Sequence, residues 1–270
     1  MTPHLGATAL TVGTALRDVS FALPAGSCTA VLGANGSGKS TLLATLAGTI
    51  APDAGTTHCP RPAAYLPEGC PLDGWVSVRR WLELGARLPG WEPSVAAELR
   101  EALDLPPTRT ASQLSQGQRV RLGLVLTLSR RAPVYLLDDP FLGLDPMALV
   151  AAERVIAERS ADATVLLANQ DASASERLCS HLLFLRNGEL AWCAPLEAWR
   201  ARFRRVRVHG PTAPLDALGL LVLQAETRGR TTDVLLDDPA GTAEQRLRGA
   251  GVRVESVPLP LDELLLCMVA

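Results

Sequence analysis

Gly33-Ala34-Asn35-Gly36-Ser37-Gly38-Lys39-Ser40-Thr41 follows directly on the apolar run Ser27 to Leu32. It opens a stretch of helical composition, Ser40 to Ala47, that Gly48 closes. The order is strand, glycine-rich turn, helix. Glycines let backbone N–H groups turn inward around phosphate oxygens, and the helix behind them presents its positive N-terminal end. The pattern G-x-x-x-x-G-K-[ST] therefore specifies a phosphate cradle. Gly33, Asn35, Gly36, Ser37, Gly38 and Thr41 frame it, Lys39 reaches the β- and γ-phosphates, and Ser40 holds Mg²⁺. Ordinary residue frequencies produce such a match by chance in on the order of 1% of chains of this length. Lys39 is also the one lysine among 26 Lys and Arg residues. A compact ammonium enters a phosphate nest where a broad guanidinium does not.

Working outward, Val134 to Leu137 is a second apolar run, bounded by Pro133 and ending in Asp138, 99 residues after Lys39. A carboxylate at the end of a buried strand at that distance from a phosphate loop is placed to hold Mg²⁺ through water. Thr164 to Ala168 reads as a third buried strand. Gln118 to Arg131 and Met147 to Arg159 read as helices, and 76–104 carries helical periodicity interrupted by Pro89-Gly90 and Pro93. Residues 52–75 read as loop, with a short extended piece at Ala63 to Leu66. The alternation predicts an α/β fold with a mostly parallel sheet covered by helices. After about Arg204 the texture changes. Strands are expected at Val206 to Val208, Gly219 to Gln224, Thr232 to Leu236 and Val252 to Val257, and helices at Ala243 to Gly249 and Leu261 to Met268. We expect a nucleotide-binding domain over 1–203, with a helical subdomain at about 74–130, and a small α+β domain over 204–270.

Composition narrows the function classes. The 270 residues are 47% hydrophobic, enough for one full domain and a small appendage. A net charge of −2 provides no basic field for nucleic acid or an anionic membrane. Six cysteines without a C-x-x-C pair, and four histidines, argue against a zinc site or a disulfide framework. No secretory signal is expected, and no apolar stretch approaches the ~18–20 residues that span a bilayer.

Leu114-Ser115-Gln116-Gly117-Gln118, lying between the two phosphate elements, resembles the signature motif of the ABC ATPase family. The resemblance runs in order over roughly residues 8–200. Ala15 to Phe21 is similar to the family's strand before the phosphate loop. Tyr65-Leu66-Pro67-Glu68 is similar to the loop that couples the nucleotide to a permease, and Gly143-Leu144-Asp145 to the D-loop. The tail from Leu261 is similar to the C-terminal domain of members paired with ABC-2-type permeases. The resemblance implies a P-loop NTPase core of ABC ATPase type that binds ATP with Mg²⁺. Ser40, Asp138 and Glu68 are the metal ligands it implies. Ser115 and Gly117 would face the γ-phosphate bound by a second ATP-binding subunit, in a homo- or heterodimer. A separate membrane permease would be the other partner, on the cytoplasmic face of a bacterial plasma membrane.

The chain also departs from the family's pattern. Asp139 stands where the family has the Glu that polarises water. It is shorter by one methylene, roughly 1.5 Å, and a misplacement of about 1 Å can cost on the order of 10²-fold in rate. Gln170 stands at the switch His, Glu68 at the coupling-loop Gln, and no aromatic is available to stack on adenine, which leaves Leu10 or Val12 to cover the base. Asp139, Gln170 and Glu68 are the candidate catalytic groups. Two readings follow: a hydrolysing motor subunit, or a hydrolysis-impaired regulatory subunit that pairs with a catalytically complete partner. An ABC protein acting on ribosomes or DNA is disfavoured by the single cassette and the charge balance. The signature motif argues against a small-molecule kinase.

Overall fold

The computed structural model describes residues 5–169, 172–209 and 218–263. The chain divides into two compact units, Met1–Cys193 and Ala194–Ala270. In chain order the first contains β1 (Leu5–Val12), β2 (Leu16–Leu23), β3 (Cys28–Leu32), α1 (Lys39–Ala47), β4 (Ala54–His58) and β5 (Ala63–Leu66). The helices α2 (Val78–Gly85), α3 (Pro93–Ala102) and α4 (Gln116–Leu128) follow. Then come β6 (Val134–Asp138), α5 (Pro146–Asp162), β7 (Thr164–Ala168), α6 (Ala172–Leu178), β8 (His181–Arg186) and β9 (Glu189–Pro195), whose last two residues fall in the second unit.

Six strands form the main sheet in the order β5-β6-β7-β3-β8-β9. The pairs β5–β6, β6–β7, β7–β3 and β3–β8 are parallel. Every residue of β3, β6 and β7 is buried. That explains their continuous apolar runs, since a parallel strand is covered on both faces and cannot alternate. Open α/β sheets bind ligands beyond the carboxyl ends of their strands, and Gly33 and Asp139 leave the sheet at those ends of β3 and β6.

A separate antiparallel sheet has the order β2-β1-β4. Its strand β4 falls in the stretch expected to be loop. Ala-Gly-Thr-Thr-His is short, polar and largely exposed, and it becomes a strand by pairing with β1, Gly6 opposite His58 and Thr11 opposite Ala54. The buried side chains of β1 and β2, with Leu42, Leu43 and Leu46 of α1, join the core beneath the phosphate loop.

The second unit comprises α7 (Leu196–Arg202), β10 (Phe203–His209), β11 (Leu221–Arg228), β12 (Thr231–Asp237), α8 (Ala243–Gly249) and β13 (Arg253–Val257). Its sheet order is β11-β12-β10-β13, with antiparallel pairs throughout. Val206, Val208, Val234, Leu236 and Val254 cluster with Ala243 and Leu247 of α8. Arg207 pairs with Asp233 across strands at 2.7 Å. This unit begins about ten residues before the expected boundary. Trp199 of α7 is buried, and its ring centroid lies 5.6 Å from that of Phe203, so α7 packs with β10. Of the helix expected at Leu261 to Met268, residues 261–263 are helical and 264–268 lie outside the described residues.

Candidate nucleotide site

The turn from β3 into α1 is held open by its own geometry. Gly38 caps α1 at φ 101°, and a Cβ there would stand 2.6 Å from the carbonyl oxygen of Ala15. Lys39 Nζ donates to the carbonyls of Gly33 at 2.9 Å and Ala34 at 3.1 Å, which stretches the ammonium across the loop. Ser37 N donates to Ala34 O at 3.1 Å, and Gly188 N donates to Ser37 O at 3.2 Å. The Asn187-Gly188 turn between β8 and β9 therefore buttresses the loop from behind. The sequence signal for it was the Asn-Gly dipeptide between two apolar runs, a common two-residue hairpin.

These residues line a cleft of about 390 Å³ together with Ala15, Glu68 and Asp139. Asn35, Gly36, Gly38, Lys39, Ser40 and Thr41 supply the phosphate-loop wall. The Ser40 hydroxyl donates to Glu68 Oε2 at 3.4 Å and stands within hydrogen-bonding reach of Asp138. Asp138 is 2% exposed, and its Oδ2 has no hydrogen-bond partner. A buried carboxylate oxygen left unpaired is costly, and a hydroxyl with two carboxylates is the hard oxygen set that suits Mg²⁺. The residues fit the ion. Among the described residues no group of three His, Cys, Asp or Glu side chains forms a metal cage, so phosphate and water oxygens would have to complete the coordination.

Electrostatics follow from this crowding. Burial pushes Asp138 up to about 6, and the neighbouring Asp139 and Glu68 carboxylates push the same way, against Ser40 and Lys39. Burial lowers Lys39, and the three carboxylates oppose that shift. Asp139 is 7% exposed at φ 46°, with its N–H bonded to Ala168 O at 2.9 Å. Its backbone is thus turned sharply out of β6 and pinned to β7. Gln170 lies outside the described residues.

Two expectations change. The signature helix was expected from Gln118; α4 starts at Gln116, with Ser115 as its cap. Gln118 N donates to Ser115 Oγ at 3.2 Å and Ser115 N to Gln118 Oε1 at 3.1 Å, a reciprocal capping box. Leu10 and Val12, expected to cover a base, are 0% and 9% exposed and belong to the core. The register shift in β1 between Ala7 and Leu10, where Ala9 has φ 49°, breaks the alternation begun by Leu5 and Ala7 and turns both inward.

Ser115 and Gly117 do not line the cleft of their own chain. Gly117 instead packs on the D-loop: a Cβ on it would stand 2.4 Å from Gly143 O. Arg121, one turn further along α4 and not singled out by its sequence context, donates to Asp145 Oδ2 at 2.6 Å and to Leu103 O at 3.1 Å.

Comparison with known proteins agrees with this geometry. The family described as "ABC transporter" matches residues 16–142. The thiamine import ATP-binding protein ThiQ of Chelativorans sp. is 35% identical over 198 residues, covering 66% of this chain and 80% of that protein. An uncharacterised ABC transporter ATP-binding protein of Bacillus subtilis, YxlF, is 29% identical over 196 residues, covering 68% of this chain and 66% of its own length. A solved ATP-binding subunit of an ABC transporter superposes with a TM-score of 0.65 at 26% identity, over 73% of this chain and 92% of that one. With a Lys39 loop that follows β3, a Ser40 bonded to Glu68 beside Asp138 and a capped signature helix, the chain belongs to the family of ABC transporter ATP-binding subunits and is an ATPase of that family.

Proposed function

We propose that the chain is the ATP-binding, ATP-hydrolysing motor of a transporter whose membrane-spanning permease is a separate chain. The observation that carries this reading is the separation of two anion-binding elements within one chain. Lys39, Ser40, Glu68 and Asp139 gather on one cleft, while the Ser115-capped start of α4 lies outside it. A complete site then needs a second ATP-binding subunit. Lys39 binds the β- and γ-phosphates, and the loop N–H groups orient them. Ser40, Asp138 and Glu68 would hold Mg²⁺, which when bound neutralises phosphate charge. Asp139 holds the attacking water, and Ser115 and Gly117 of the second subunit close over the γ-phosphate. Gln170 contributes a hydrogen bond to that phosphate, and Glu68 relays the nucleotide's presence toward the permease.

No described helix is long and apolar enough to cross a membrane, in keeping with a peripheral subunit on the cytoplasmic face of a bacterial membrane. The domain division proposed is an ATPase domain with a helical subdomain spanning α2 to α4, followed by the α+β unit. A second reading is favoured by Asp139, one methylene shorter than Glu: the chain binds ATP and lends Ser115 and Gly117 to a better-equipped partner. Steady-state hydrolysis with Mg²⁺, with Lys39→Ala as blank and Asp139→Glu as repaired site, tests both. Turnover well above the blank supports the motor. Turnover only in Asp139→Glu supports the partner-dependent subunit. No nucleotide binding at all overturns both.

A further inference from the structure

We propose that Gly188, which does not line the cleft, is a positioning residue for nucleotide binding: the β8–β9 turn sets the direction of one phosphate-loop N–H. This rests on the nucleotide-binding reading above and names a residue that acts through another. Gly188 N donates to Ser37 O at 3.2 Å. The Ser37–Gly38 peptide is trans, and in a planar trans peptide the carbonyl and the N–H point opposite ways. Holding the Ser37 carbonyl against Gly188 therefore turns the Gly38 N–H away from the turn, toward the cleft that Gly38 lines. Gly38 caps α1, so its N–H has no acceptor within the helix and is left for an anion.

The turn is itself held in place. Arg17 N donates to Gly188 O at 2.8 Å. The Arg17 guanidinium donates to Asn187 O at 2.8 Å and meets Glu189 at 3.2 Å. Asn187 at φ 52° and Gly188 at φ 80° make a left-handed two-residue turn. One carbonyl oxygen, that of Ala15, lies close to both glycines. A Cβ on Gly188 would stand 2.7 Å from it, and a Cβ on Gly38 2.6 Å. The phosphate loop, the β1–β2 turn and the β8–β9 turn thus meet backbone to backbone. No flexible side-chain tip lies between them to absorb a shift.

A hydrogen bond from a backbone N–H to a charged phosphate contributes about tenfold or more to affinity. Equilibrium binding of Mg²⁺-ADP to the full chain, which no turnover disturbs, tests the proposal. The nucleotide-free melting temperature and the amide NMR signal of Gly38 are read beside it. Gly188→Ala sets a methyl group against the Ala15 backbone and lifts the turn from Ser37. It is expected to weaken Mg²⁺-ADP about tenfold or more, and to shrink the shift that Mg²⁺-ADP produces in the Gly38 signal. Gly26→Ala is the matched control. Gly26 sits at φ 72° in the same unit, and a Cβ there meets nothing within 4 Å. That variant carries the backbone strain without the collision, and is expected to bind within about twofold of the native chain. Arg17→Ala, a change of an exposed side chain, loosens the turn without a collision. It is expected to weaken binding about threefold, with Arg17→Lys recovering most of the loss. Native affinity in Gly188→Ala, or equal losses in Gly188→Ala and Gly26→Ala, overturns the inference and leaves the nucleotide site intact. If Gly188→Ala does not fold, Arg17→Ala decides, and native affinity in that variant overturns the inference. No binding of Mg²⁺-ADP by the native chain overturns the site reading and this inference with it.

Discussion

Arg121 meets Asp145 at 2.6 Å, and through that bond the signature helix is tied to the start of α5. Asp145 is itself the cap of α5, its Oδ1 accepting from Met147 N and Ala148 N at 3.0 Å each. Those N–H donors and the Arg121 charge hold its carboxyl below the ordinary aspartate range. Arg121 has a second anchor on Leu103 O. Arg121 thus ties the signature helix to the end of the D-loop and to the segment after α3. Arg121→Ala is expected to lower turnover several-fold more than it weakens ATP binding to the isolated chain. A double-mutant cycle with Asp145→Asn should give a small but non-zero coupling, modest because Asp145 is half exposed. Equal losses in turnover and in affinity would argue against a coupling role.

The same helix closes against the D-loop through Gly117 and Gly143. Gly143 sits at φ 71°, and a methyl group on Gly117 would overlap its carbonyl at 2.4 Å. Backbone cannot yield as a side-chain tip does, so Gly117→Ala must push the signature helix and D-loop apart. Displacement of about 1 Å predicts a loss of roughly 10²-fold in turnover. Binding of ATP by the isolated chain, measured by titration, should change by less than about threefold, because Gly117 does not touch the chain's own cleft.

The strands and loop that make the phosphate cradle were legible in the sequence because local rules set them. Val31 and Leu32 are apolar on both faces of a parallel sheet, and the glycine spacing permits one turn only. Asp138 was legible for the same reason. Less legible were features that depend on a distant neighbour. The polar β4 is a strand only because β1 lies beside it. Arg121 looks like one more charge on a helix until Asp145 arrives from 24 residues away. Leu10 and Val12 could be aligned with a base-covering position, but the direction of their side chains is fixed by the bulge in β1 at Ala9 and the core beneath it.

Three tryptophans fall in the helical region, and packing separates them. Trp75 is 91% exposed. Trp91 closes against α2, where a Cβ on Gly85 would lie 2.8 Å from its ring. Trp75→Ser should therefore shift unfolding by less than about 0.5 kcal/mol. Trp91→Ala should cost about 1–3 kcal/mol through the contacts it loses against α2, Trp91 being half-buried. Denaturant titration of both variants checks the contrast, and equal costs would mean that Trp75 has a packing partner.

Asp138 predicts a stability that runs opposite to that of the ion-paired carboxylates. Its folded pKa of about 6 lies above the ordinary aspartate value of 3.8. Between those values the native state holds a proton that the unfolded chain has released, so stability falls as pH rises. The loss is complete above about pH 6 and amounts to at most about 3 kcal/mol. Asp145 and Asp233 have lowered values; their contribution is already present above pH 4 and is lost only in stronger acid, so the two effects occupy separate windows. Asp138→Asn removes the buried charge. It should raise the nucleotide-free melting temperature at pH 7 and flatten the slope between pH 4 and 6. It should also abolish the extra stabilisation that Mg²⁺ with ATP gives the native chain. A melting temperature that falls in Asp138→Asn at pH 7 would mean that the carboxylate is satisfied rather than strained.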